Sequence, residues 1–408
     1  MWRLKKLLKK VKVKACSNIM VGGLRTADNF LTSEEVISGA VIRAGFATDI
    51  LLNNPNYEFD VPSKDECKYN YVYYNENLCN GLSEEEKEIY KKFSNMKFSF
   101  FYPNDSIPAP LTAKVCKTCG TEHHLKDIVF ENKALVCQDC EKELSKKKNL
   151  DKEKVNKIPK RMENLKGLIH WDNENKKYVS TKVEKSLSTH TAINYSLHTA
   201  RDGSLFSVKA IKKGTEFVGY IDDCDTGLIY IGKIIYVGKY SSNGFGKLQI
   251  TDISDVTLED LKSRIDAFNE KFKGNENKKY ISMLLLSDGK LLSFENDTNI
   301  VISSTNKYNE LWKKAIFGDN DIFTIEKIFA QNIFYSGFDT SKEYGNWRNS
   351  PEIITLKGTS FKISYDIQNE EQALKVLNQL EQNGIGRDTN NGYGMVSVCH
   401  KIHTLGVD

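Results

Sequence analysis

Four cysteines fall into two Cys-x2-Cys pairs, Cys116-Lys117-Thr118-Cys119 and Cys137-Gln138-Asp139-Cys140. Each pair sets two thiols on one tight turn, and two such knuckles close a tetrahedral zinc site. Cys116, Cys119, Cys137 and Cys140 are the expected ligands of one Zn2+. Gly120 supplies the turn after the first knuckle, and His123 and His124 stand nearby as alternative ligands. Four thiolates leave no open coordination position, so the metal is expected to be structural. It would fold a small module, 112–145, that could not bury a core of its own. Cys16, Cys67, Cys79, Cys224 and Cys399 are scattered, which fits a reducing cytoplasm better than a disulfide framework.

A second group with chemical potential runs His190-Thr191-Ala192-Ile193-Asn194, then His198 and Arg201. Two histidines can act as general acid and base when a 2′-hydroxyl attacks its own phosphodiester. The same residues can contact RNA without cutting it, or simply hydrogen-bond within a loop. The downstream strands, Leu205–Ile211 and Glu216–Ile221 about the Lys213-Gly214 turn, make this region a hairpin.

The third group is a repeat. Gly238-Lys239-Tyr240-Ser241-Ser242-Asn243-Gly244-Phe245-Gly246 and Gly386-Arg387-Asp388-Thr389-Asn390-Asn391-Gly392-Tyr393-Gly394 share one pattern at an offset of 148 residues. That offset is about a domain length, so it argues for two copies of one domain rather than a solenoid. Asn-Gly sets a tight turn, and the alternating Leu248 and Ile250, or Val396 and Val398, begin a strand after it. Upstream of the second copy, Asn369–Gln382 predicts a helix with Ala373, Leu374, Leu377 and Leu380 as its stripe and Asn383-Gly384 as its stop. The retained Lys239 or Arg387, beside backbone free of side-chain bulk, would let a polyanion approach the amides. The plainer alternative is a glycine turn needed for close packing.

These groups need a scaffold of 408 residues, 40% hydrophobic and 27% charged, with a net charge of only +4. A nucleic-acid surface must therefore be local. No stretch reaches 18 apolar residues, so no membrane helix is expected. The first 14 residues carry seven Lys or Arg and no acid, reading as a basic strand against phosphates or a solvated charge run. Val11, Val13 and Ala15 alternate as a first strand ending at Gly22-Gly23. Thr32 or Ser33 would cap a helix holding Val36, Ile37, Ala40, Val41, Ala44 and Phe46, with Gly39 for close packing. Arg25, next to the Gly22-Gly23 turn, is the better phosphate candidate, and Arg43 on the helix is either a second one or a surface charge. Ser83–Phe93 reads as a short helix. Tyr69, Tyr71, Tyr73 and Tyr74 could stack on bases or pack among themselves. Residues 144–166 form a basic linker. Further on, 280–286 and 291–294 read as a hairpin, 329–338 and 353–367 as strands, and Trp347 and Arg348 as a loop that stacks on a base, docks a subunit or packs.

Ile37–Ala47, His190–Asn194, Leu205-Phe206 through Gly219, and both glycine-rich loops together resemble the repeat-associated mysterious proteins (RAMPs) of CRISPR–Cas systems. With the four-cysteine insertion, the chain looks like the type III-D subunit of that superfamily, over most of residues 10–400. The family usually has proline-glycine-serine where Ile37-Ser38-Gly39 stands, and the first domain's second helix is shortened around Asp225–Tyr236. The resemblance implies an α+β fold of two tandem ferredoxin-like (RRM-like) domains. The first would span 1–252, with an insertion at about 53–165 carrying the zinc module, and the second 253–408. It implies a non-catalytic, cytoplasmic subunit gripping the 5′ tag of the CRISPR RNA in antiviral defence. Its partners would be a large polymerase-like subunit, backbone RAMP subunits and, indirectly, target RNA, with no membrane. The implied RNA contacts are Lys239, Asn243, Gly244, Phe245, Gly246, Arg387, Gly392 and Gly394, with His190 and Asn194 behind them; Arg25, Arg43 and Arg201 complete the expected set. Relatives in the superfamily cut CRISPR RNA precursors without metal, and here His190 and His198 would be the pair to do so.

Overall fold

The computed structural model describes residues 8–22, 24–27, 29–53, 83–117, 126–129, 162–194, 196–224, 226–256, 260–272, 276–293, 305–337 and 350–404. Cys119, Cys137, Cys140, the tyrosines at 69–74, the linker up to 161, Trp347 and Arg348 lie outside the described residues. The chain is mixed α+β and divides into two compact units: Met1–Asp105 with Lys182–Thr257 and Asn390–Gly392, and Ser106–Thr181 with Leu258–Thr389 and Tyr393–Asp408.

In the first unit, β1 (Leu8–Ala15) is followed by α1 (Gly39–Asn53) and α2 (Glu84–Asn95). A long hairpin of β2 (Lys185–Asn194) and β3 (Thr199–Ile211) comes next, then β4 (Glu216–Asp222) and β5 (Lys247–Asp255). The main sheet runs Ile234–Tyr236, β5, β1, β4, Lys97–Phe98, every pair antiparallel. As the alternation predicts, Val11, Val13 and Ala15 face the core, beside Phe46, Phe93, Phe98 and Phe217. Each such aromatic, fully buried, contributes about 1.5–3 kcal/mol. Acids of the same unit meet the lysines between them: Lys9 pairs with Asp223 at 3.3 Å, Lys10 with Asp105 at 2.5 Å and Lys12 with Glu216 at 2.6 Å. Those three charges are therefore already matched within the fold.

Neither Thr32 nor Ser33 caps α1. Thr32 ends a strand, and the Ser33 hydroxyl is engaged by Val21 N at 3.1 Å, so the helix starts six residues later, at Gly39. Gly39 is needed there: a Cβ would fall 2.1 Å from Phe98 O. Ser83 does cap α2 through a reciprocal box with Glu86, which satisfies two end amides at once.

In the second unit, α3 (Leu261–Lys271) precedes β6 (Lys278–Leu285), α4 (Thr305–Phe317), β7 (Phe323–Phe329), β8 (Ser360–Asp366), α5 (Glu370–Asn383) and β9 (Val396–Val398). Its sheet runs β7, β8, β6, β9, again antiparallel throughout. This is the connectivity of the first sheet, with β6, β7, β8 and β9 standing for β1, Lys97–Phe98, β4 and β5. The units differ where α5 lies: among the described residues, 226–233 hold no helix between β4 and β5. Of the expected hairpin at 291–294, residues 291–293 are non-strand and Phe294 lies outside the described residues; Gly289 bridges Thr355.

Below β9, Arg264 of α3 grips Glu381 of α5 by two hydrogen bonds, 3.0 and 2.6 Å, and donates to Val398 O at 2.7 Å. Glu381 also accepts from Val398 N at 2.7 Å, so one ion pair ties both helices to the strand. The described part of 106–181 groups with this second unit. There Ala113–Cys116 pairs with Lys126–Asp127 and Met162–Asn164. Buried Asp127 accepts from Thr112 Oγ1 at 2.7 Å and Val129 N at 2.8 Å, and meets His403 Nδ1 at 2.8 Å.

Candidate nucleic-acid interface

The two glycine-rich loops are one construction made twice. Val237 N donates to Gly246 O at 2.9 Å, and Ile385 N to Gly394 O at 2.8 Å. φ is positive at matching places: 78° and 80° at Gly238 and Gly386, 62° and 59° at Tyr240 and Asp388, 84° and 81° at Gly244 and Gly392. Glycine is the residue that adopts this left-handed backbone without steric cost.

The repeat also reaches chain segments whose sequences do not match. Residues 18–20 run beside the first loop: Asn18 O accepts from Gly246 N and Met20 O from Lys239 N, both at 2.8 Å. Ile19 exchanges two 2.9 Å hydrogen bonds with Ile211 at the foot of β3. Residues 288–290 do the same for the second loop. Asp288 O accepts from Gly394 N at 2.9 Å, Lys290 O from Arg387 N at 3.2 Å, and Gly289 exchanges two 2.8 Å bonds with Thr355. Each loop thus sits in a cradle of one short bridging segment and one ribbon foot.

The contents of the cradles differ. In the second, Lys290 bridges Asp388 at 2.5 Å and Glu352 at 2.9 Å, and Arg387 lies 3.7 Å from Glu352. Burial pulls the Lys290 ammonium down, but the two carboxylates outweigh it and hold it above the usual lysine range. In the first cradle, Lys239 is exposed and, among the described residues, carries no ion pair. Ser241, Ser242, Asn243 and Gly244 are exposed too, and a Cβ on Gly244 would meet nothing within 4 Å. The first turn is open and cationic; the second is neutralised.

Most backbone amides of the open turn are already engaged. Those of Lys239, Asn243, Gly244, Phe245 and Gly246 all donate to carbonyls of the same unit. Gly246 and Gly394 serve close packing, since a Cβ would fall 2.1 Å from Val237 O and 1.8 Å from Ile385 O. Side chains add to what this surface offers.

Those side chains include His190. On β2 it sits opposite Phe206 of β3, facing the loop. Its ring is near-parallel to Phe206 (5.4 Å between centroids, 21°) and Tyr240 (6.5 Å, 8°), and Phe206 and Tyr240 are 6.2 Å apart at 24°. Phe245, buried beneath with Met20, Val208 and Ala210, turns its ring about 60° to Tyr240. Ser188 Oγ lies 2.9 Å from His190 Nε2 and sets the imidazole's rotation. The structure therefore gathers His190, Lys239, Asn243, Gly244 and Phe245, and adds Tyr240 and Phe206, which no motif marked as contacts.

Other expected residues lie elsewhere. Asn194 shapes the hairpin turn, accepting from Ser196 N at 3.1 Å. His198 is exposed in that turn at φ 49°. At about 3.3 Å per strand residue, the turn begins roughly 13 Å along the ribbon from His190. Arg201 lies on an exposed bulge, where β3 takes five steps (Leu205 to Ala200) against two on β2. Arg25 is on Leu24–Ala27, the far edge of the sheet that contains β2 and β3. Arg43 is not a phosphate contact: it is buried, donating to Ser94 O at 3.1 Å over the Phe93 ring, and fastens α1 to α2. Cys116 is buried at the end of its strand.

No family model matches the chain, and no curated protein matches it. Among solved structures, it is similar to a chain of the Type III-B Cmr-beta bound to cognate target RNA and AMPPnP, with 14% identity, 86% of each chain covered and a TM-score of 0.38. A chain of the same complex bound to cognate target RNA gives 14%, 86% of each and 0.37. One from its apo state gives 11%, 60% of this chain and 96% of that one, and 0.28.

Proposed function

We propose that this chain is a CRISPR RNA-binding structural subunit of a type III, III-D-like effector ribonucleoprotein. Two ferredoxin-like domains form it, and the first glycine-rich loop holds the 5′ repeat-derived tag. The observation that carries this is the open cradle at 238–246, where Lys239, without an ion pair among the described residues, stands beside partly exposed aromatic rings. Single-stranded RNA is held by that combination of backbone charge and base stacking. The ordered set of RAMP-like segments supports the family assignment. Cys116, Cys119, Cys137 and Cys140 would hold a structural zinc; the buried Cys116 thiol at a strand end suits such a ligand.

Copurification tests the function. The chain, expressed with a CRISPR array and its neighbouring subunits, is expected to bring down short RNA of uniform 5′ end. RNA of random ends, or none, would refute it. Metal analysis of gently purified protein should find one zinc per chain, and substantially less would remove the four-cysteine site. The separation of His190 and His198 favours holding over cutting. Repeat RNA should remain intact, and cleavage lost in His190→Ala with His198→Ala would reverse that conclusion.

A further inference from the structure

We infer that His190, Phe206 and Tyr240 form a seat for one unpaired nucleobase of single-stranded RNA, with Lys239 holding the adjoining phosphate. This rests on the RNA-binding function proposed above and names the chemistry of its site. Three near-parallel rings with all three centroid separations between 5.4 and 6.5 Å cannot be a column, whose outer members would stand much farther apart. They are offset-stacked neighbours around a triangle, with normals that agree within 24°. A planar base lying on any one of them is close to parallel with the others. All three are partly exposed, while Phe245, Met20, Val208 and Ala210 support them from below.

Tyr240 carries an independent sign. Its φ of 62° is left-handed, a conformation that costs a bulky L-residue about 1–2 kcal/mol. The matching place in the second loop holds Asp388, a residue that visits this region far more readily. A tyrosine kept where aspartate or asparagine would relax the backbone points to work done by its ring. The second cradle has neither that ring nor an unmatched cation, so one such seat is expected and not two.

The test is a fluorescence titration of the full chain with short single-stranded RNAs carrying 2-aminopurine at each position in turn. Wild type should quench the probe strongly at one position. Tyr240→Asn should melt at or above the wild-type temperature, lose that quenching, and bind about ten- to a hundredfold more weakly. Tyr240→Phe should restore both. His190→Leu, which leaves the loop backbone untouched, should weaken binding in the same direction. If wild type binds RNA and folded Tyr240→Asn binds and quenches equally, the seat is wrong while the RNA-binding function stands. If wild type binds no RNA at all, the function proposed for the chain fails first.

Discussion

Alanine at Gly246 and at Gly244 should separate two effects that sequence alone treats as one. Both glycines have positive φ, 81° and 84°, so each alanine pays about 1–2 kcal/mol for the left-handed backbone. At Gly244 nothing lies within 4 Å of the added methyl, and that cost is the whole effect. At Gly246 the methyl would stand 2.1 Å from Val237 O, inside any allowed contact. Relief requires the loop and the strand to part, loosening the Val237 N–Gly246 O and Gly246 N–Asn18 O bonds, 2.9 and 2.8 Å. At about 1 kcal/mol each, the total becomes about 3–4 kcal/mol. For a unit of this size that lowers Tm by about 6–16 °C, against about 2–8 °C for Gly244→Ala. Differential scanning calorimetry on the full chain reads both. Equal shifts would mean that the close approach at Gly246 carries no energy, and the packing account of the loop would fall.

Three further outcomes follow from the same geometry. Arg264→Leu should destabilise the second unit by about 3–5 kcal/mol, since it leaves the largely buried Glu381 carboxylate without its partner; chemical denaturation showing less than 0.5 kcal/mol (roughly the level of a neutral surface change) would refute this. Lys290→Met should cost about 1–2 kcal/mol near neutrality. The folded-state value of Lys290 is raised above 10.5, so its stabilisation is full below that pH and lost as pH climbs through the raised value. The gap between wild type and variant should therefore close in strong alkali, and a gap constant to that range would contradict the carboxylate bridge. Lys239→Ala should flatten the salt dependence of RNA affinity by about 0.7 in log–log slope, and Arg387→Ala should leave it nearly unchanged; equal effects would make the two turns equivalent after all.

The glycine-rich loops were legible because a left-handed backbone has few sequence solutions, so the same residues recur wherever the turn recurs. The stripe of α5 and the alternation of β1 were legible for a similar reason, each written in consecutive residues. Met20 and Lys290 were not, because each cradle joins three distant segments and neither short bridging segment carries a periodicity. Tyr240 went unmarked as a contact because Asp388 stands in its place in the repeat, and a position that differs between copies reads as variable. Arg43 was misjudged because an arginine among apolar helix residues looks alike from sequence whether its stem lies outward or is buried over a phenylalanine. The start of α1 was misplaced because Thr32 or Ser33 makes a good cap in isolation, and tertiary pairing with Val21 took the Ser33 hydroxyl.

The Asp127 knot has a consequence for how this polypeptide comes off the ribosome. Thr112 and Asp127 are translated early, yet the imidazole that completes their buried cluster is that of His403, 276 positions later. Until then the nascent stretch around 112–129 holds an aspartate lacking one of its burial partners, so the cysteine-bearing segment should mature late and resist excision as a self-standing piece.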